Sequence, residues 1–130
     1  MKRDVAVWID HKEAVIASIE GETETTSRLE SKVERGGASG NESGAEDQRD
    51  RRFENHLRTY YDAVISRIRD AEGILLLGPG EAKHELEKRI HQEGLGAHIV
   101  AVETADKLTD HQVTAKARER FGKPPAPRQP

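Results

Sequence analysis

The chain contains no cysteine, so disulfides, thiolate metal sites and cysteine nucleophiles are all excluded. No apolar run approaches the roughly 18 residues that a membrane-spanning helix needs. Nor is there a strong excess of one charge: 21 basic against 24 acidic side chains leave a net charge of −3. That balance argues against wrapping a long nucleic acid by bulk charge alone and leaves room only for a local basic patch. Aromatic residues make up 4% of the chain. Trp8 and the Tyr60-Tyr61 pair are read as core or half-buried, because a base-stacking role would need them exposed.

What is present is an apolar fraction of 34% gathered in blocks, beside 35% charged residues. Such a chain folds with a heavily charged surface. Its 130 residues suit one domain over residues 1–122, large enough to bury a core without metal or disulfide support. The opening Met1-Lys2-Arg3-Asp4 leads straight into a strand-like block. No signal peptide is expected, and a soluble cytoplasmic protein is the default.

Residues 4–10 (DVAVWID) and 13–20 (EAVIASIE) read as buried strands, with Asp10-His11-Lys12 as a hairpin turn. Residues 23–33 alternate polar side chains with Leu29 and Val33, which suits a strand at a sheet edge. Residues 34–50 (ERGGASGNESGAEDQRD) hold four glycines and little that packs, and are read as a mobile loop. Phe53, Leu57, Tyr61, Val64, Ile65 and Ile68 then follow helical spacing over about 48–70. Gly73 to Leu77 (GILLL) reads as a central strand buried on both faces, broken by Gly78-Pro79-Gly80. Ala82, Leu86 and Ile90 line a second helix that ends near Gly94.

Residues 98–102 (HIVAV) read as another short buried strand. Thr109 with Gln112 forms a capping box for a last helix carrying Val113, Ala117 and Phe121 on one face. The proline-rich tail at 123–130 cannot continue that helix and is expected to be disordered. The order βββ-α-β-α-β-α predicts an α/β fold: a mixed sheet of the ribonuclease-H-like kind with three helices.

Several segments, in order, resemble the central domain of archaeal and eukaryotic class-one release factors and of Pelota. VAVWIDHKEAVIASIEGETE resembles its first hairpin, and ERGG followed by RRFENHLRTYYDAVISRI resembles its loop and long helix. GILLLGPGEAKHELEKRI resembles the family's strand–GPG–helix segment, which is the most specific part of the likeness, and IVAVETADKLTDHQV resembles the segment after it. The likeness runs over about residues 4–120 and extends to short bacterial relatives that stand alone as single domains. It implies a setting in translation, with ribosome or tRNA as partner. In release factors the loop carries Gly-Gly-Gln, whose glutamine helps place the hydrolytic water. Here Gly36-Gly37 are followed by Ala38, so the release chemistry is not implied, and the codon-reading and GTPase-binding companion domains are not expected.

The residues that would carry RNA binding are Arg35, Gly36, Gly37, Arg49, Arg51, Arg52 and Arg58, basic side chains in and beside the loop that can meet phosphates. Interspersed Glu42, Glu46, Asp47, Asp50 and Glu54 equally suit a plain solvated face. Gly78, Gly80 and Lys83 form a candidate anion site at a strand-to-helix turn. The alternative there is a tight βα turn, and Glu81 works against an anion. Asp10, Glu103, Asp106 and Asp110 raise a two-metal nuclease, but the central strand ends in Leu77-Gly78, where a carboxylate is needed. The six histidines show neither an i, i+4 pair nor HExxH. No cofactor, resident metal, membrane or DNA is expected. The rival functions are a peptidyl-tRNA hydrolase or metal-dependent nuclease, and a protein-interaction module or homodimer paired through the 23–33 edge.

Overall fold

Among the described residues, five strands and three α-helices follow one another as the hydrophobic pattern predicts. The computed structural model describes residues 2–31 and 46–121, with 46–54 as backbone only. The strands are β1 (Asp4–Ile9), β2 (Glu13–Glu20), β3 (Thr23–Glu30), β4 (Gly73–Gly78) and β5 (Ile99–Thr104). The helices are α1 (Glu46–Ile68), α2 (Ala82–Gln92) and α3 (Asp110–Phe121). A single sheet runs in the order β3-β2-β1-β4-β5. The β1–β2 and β2–β3 pairs are antiparallel, whereas β1–β4 and β4–β5 are parallel. This is the expected mixed α/β sheet with three helices.

Side-chain alternation divides the core into two layers. Val5, Val7 and Ile9 of β1, with Ile74 and Leu76 of β4, face α1 and α2 through Tyr61, Val64, Ile65, Ile68, Leu86 and Ile90. Ala6, Trp8, Leu75 and Leu77 face the other way, onto Val113 and Ala117 of α3. Covered on both sides, β1 and β4 are buried at every position. That accounts for their unbroken apolar runs. Each fully buried leucine, isoleucine or valine there contributes about 1.5–3 kcal/mol. The rings of Tyr60 and Tyr61 lie 5.5 Å apart, and both are 4% exposed; Trp8 is 1% exposed.

Three boundaries depart from the sequence reading. Residues 46–50, placed in the loop, belong to α1, so Arg49 stands on a helix. Their acidic residues suit a first helical turn better than a loop. The edge strand β3 stops at Glu30. The strand at 98–102 is not buried: β5 is the opposite edge of the sheet, half-exposed along its length, with Val100 47% exposed. Its pairing with β4 shifts register between Ile74 and Leu75. The resulting irregularity at the edge brings Val100 toward solvent. An apolar stretch such as IVAV does not reveal whether a second neighbour lies beside it. The rest of the expected loop, 34–45, and the expected tail, 123–130, lie outside the described residues.

Candidate functional site

The parallel strands β1 and β4 end side by side, and the turns that follow them build one face of the molecule. Ile9 and Gly78 approach so closely that a Cβ on Gly78 would lie 2.2 Å from the Ile9 carbonyl oxygen. Glycine is required there by that contact. The Gly78 carbonyl accepts the Ala105 N–H at 2.9 Å, which draws the segment after β5 onto the same end.

Trp8 fixes that segment from beneath. Its indole N–H donates to the Ala105 and Asp106 carbonyls at 3.2 and 3.0 Å. The Lys107 ammonium sits 5.3 Å from the indole ring centre and also reaches Glu13. Glu13 accepts from Arg28 at 2.6 Å as well, and Arg28 bridges onward to Asp110 at 2.8 Å. Hydrogen bonding from Lys107 is the main reason the Glu13 carboxyl is held below its usual range, with Arg28 adding to it. Thr109 and Gln112 exchange side-chain-to-backbone hydrogen bonds at 2.8 and 3.1 Å, the capping box expected at the start of α3.

The β1–β2 turn is equally well defined. The Asp10 carboxylate accepts the N–H groups of Lys12 and Glu13, both at 2.8 Å, and the Lys12 carbonyl accepts from Ser31 at 2.9 Å. Tyr60 donates to the Asp10 carbonyl at 2.9 Å. Tyr61 donates to Glu85 at 2.5 Å, and His11 meets the same Glu85 oxygen at 3.1 Å. Burial is the main cause that raises both tyrosine hydroxyls above their ordinary range. Neighbouring Asp10 and Glu13 add to it at Tyr60, and Glu85 at Tyr61. Thus α1, α2 and the β1–β2 turn are tied together at this end, next to the point where the chain leaves β3.

The residues singled out in the sequence distribute as follows. Arg58 is exposed on α1, two residues before the buried Tyr60 and so on a different side of the helix. Arg49, Arg51 and Arg52 lie on the same helix, their side chains outside the described residues, as are Arg35, Gly36 and Gly37. Gly78 is buried and Gly80 exposed. Lys83 is 3% exposed and donates to the Gly80 carbonyl at 2.7 Å. Its charge therefore lies under the GPG turn and not beside it in solvent.

The carboxylates of the nuclease reading do not converge. Asp10 is engaged by backbone N–H groups, Glu103 by Arg120 at 3.1 Å and Asp110 by Arg28. Among the described residues no group of three histidine or acidic side chains could hold a metal. His84 and His91 lie on either side of Glu87, 3.6 and 4.0 Å from it. Sequence reading missed the Glu13–Lys107 and Tyr61–Glu85–His11 contacts. Their partners are 94, 24 and 74 positions apart, so no local motif announces them.

No protein-family model matches the chain, and no curated protein matches it. Solved structures do. The Pelota protein of Thermoplasma acidophilum superposes on 91% of this chain with a TM-score of 0.59 at 18% identity. Pelota of Archaeoglobus fulgidus covers 92% with a TM-score of 0.57 at 11% identity. An archaeal translation termination factor covers 92% with a TM-score of 0.53 at 14% identity. The chain spans 32%, 31% and 39% of those three proteins, respectively. The likeness establishes a shared fold, the one that the resemblance implied. Among the described residues no helix is long and apolar enough to cross a membrane.

Proposed function

We propose that this protein is a translation-associated factor that binds the ribosome or tRNA without release catalysis. The observation that carries this reading is the fold: nearly the whole chain superposes on part of two Pelota proteins and a termination factor. Supporting it, Arg49, Arg51, Arg52 and Arg58 all lie along α1, and the chain leaves β3 beside the β1–β2 turn at one end of the sheet. There Tyr60 holds the β1–β2 turn, Trp8 holds the 105–109 segment, and Tyr61 ties α1 to α2 through Glu85. A run of arginines along one helix suits contact with a phosphate backbone. The working residues are Arg35, Gly36, Gly37, Arg49, Arg51, Arg52 and Arg58. Ala38 in place of the glutamine removes the side chain that would position water. Such a factor works in the cytoplasm.

Binding of purified protein to tRNA and to ribosomes, measured across a salt series, tests the reading. Changing Arg49, Arg51, Arg52 and Arg58 to glutamine is expected to weaken binding at low salt. It also lowers the slope of log K against log salt by about 0.7–0.9 for each phosphate no longer neutralised. An unchanged slope overturns the assignment of these arginines.

A further inference from the structure

The two edges of the sheet are built differently. β5 is interrupted by the register shift beside Val100, an irregularity that spoils pairing with a further strand. β3 has none: Thr23–Glu30 follows β2 residue for residue and holds no proline, glycine or lysine. Among the described residues β2 is its one strand neighbour, and six of its eight residues are exposed. A regular open edge is a template for another strand.

The β2–β3 ladder shows which groups that edge offers. Along an antiparallel strand, residues bonded to the neighbour alternate with residues whose N–H and C=O point away from it. Ser31 donates to the Lys12 carbonyl at 2.9 Å, one step beyond the Glu13–Glu30 pair, so Leu29, Ser27 and Thr25 also face β2. The backbone groups of Glu24, Thr26, Arg28 and Glu30 therefore face outward. A second copy of β3 running antiparallel must set these residues against one another. With the two-fold axis at Thr26, Glu24 of each copy lies opposite Arg28 of the other. An axis at Glu24 or Arg28 sets like charges face to face, one at Ser27 sets Glu24 against Glu30, and one at Thr25 shortens the paired stretch. Glu24 accepts from Arg118 through Oε2, and Arg28 reaches Glu13 and Asp110 through Nη1 and Nη2. Both side chains remain partly exposed, at 43% and 39%, with Glu24 Oε1 and Arg28 Nε available across the axis.

We propose that β3 is a self-association surface: two copies of this chain pair antiparallel through Thr23–Glu30 about a two-fold axis at Thr26, joining their sheets into one. The pairing supplies about six backbone hydrogen bonds and two cross-strand Glu24–Arg28 pairs. An interface one strand wide is small, so the dimer is weak, with a dissociation constant on the order of 10–100 µM. The inference stands on the sheet edge and is independent of the translation reading.

Sedimentation equilibrium of the full chain at low salt, from about 5 to about 500 µM, brackets that range. A mass rising from monomer to dimer is expected, and a monomer at every concentration overturns the proposal. Glu24→Arg and Arg28→Glu each set like charges across the axis and are each expected to weaken association about tenfold. An equimolar mixture of the two variants restores opposite charges at both pairs and is expected to recover wild-type affinity. A mixture no tighter than either variant alone overturns the register. Amide exchange of the wild type gives a readout that needs no variant. The Glu24, Thr26 and Arg28 N–H groups should exchange fast in dilute solution and become protected at high concentration. Unchanged exchange at these three, or protection gained at Ile99–Thr104 in their place, overturns the assignment to β3.

Discussion

Replacing Trp8 with phenylalanine tests how the candidate face is held. The indole N–H donates to the Ala105 and Asp106 carbonyls at the end of the sheet, and phenylalanine has no such donor. Leaving those part-buried acceptors without their partner costs about 1–3 kcal/mol. The smaller ring leaves a void of about 40 Å³, which at roughly 24 cal/mol per Å³ adds about 1 kcal/mol. Weaker attraction for Lys107, which sits over the ring, adds up to about 0.5 kcal/mol. The expected loss is about 2–4 kcal/mol. For a chain of this size that lowers Tm by about 8–15 °C. Trp8 is the only tryptophan, so unfolding must be followed by circular dichroism in urea. The Ala105 amide, bonded to Gly78, should exchange faster with solvent in the variant. A loss below about 1 kcal/mol with unchanged exchange would refute the claim that this side chain clamps the segment before α3.

Other consequences follow from the same geometry. Gly78→Ala drives a methyl into the Ile9 carbonyl and is expected to lower Tm strongly, whereas Gly80→Ala meets open space and leaves Tm unchanged or slightly raised; matched melts compare them. The Glu13 carboxyl is depressed mainly by Lys107. Its contribution is therefore present above its unfolded pKa of about 4.5 and lost as pH falls through the lower folded value. Glu13→Gln should accordingly flatten the acid side of a urea-midpoint profile in that window. Tyr60 and Tyr61 are both raised, mainly by burial, so their stabilisation holds below the unfolded tyrosine range near 10 and is lost above it. Tyrosinate absorbance should then rise together with alkaline unfolding and not before it.

Much of this fold is legible in the sequence because its core elements differ in period. The apolar runs of β1, β2 and β4 and the helical spacing of Leu57, Tyr61, Val64 and Ile68 are local signals, and each marks a buried surface. The capping box at Thr109 is equally local. Facts about neighbours are not legible in this way. Nothing within Ile99–Thr104 says that only one strand pairs with it, and so its apolar run reads as buried. The same holds at the candidate face. Arg58 and the GPG turn are visible as residue types, but the inward direction of Lys83 depends on how α2 sits over β4. The clamp by Trp8, Lys107 and Glu13 joins segments from opposite ends of the chain. No spacing rule reaches that far.

The translation reading meets its most direct test in sucrose-gradient sedimentation of cell lysate at low salt, in growing and in stressed cells. The account expects the protein in ribosomal fractions in at least one state, released as salt is raised, and absent from those fractions when Arg49, Arg51, Arg52 and Arg58 become glutamine. Sedimentation with free protein alone under every condition would contradict it.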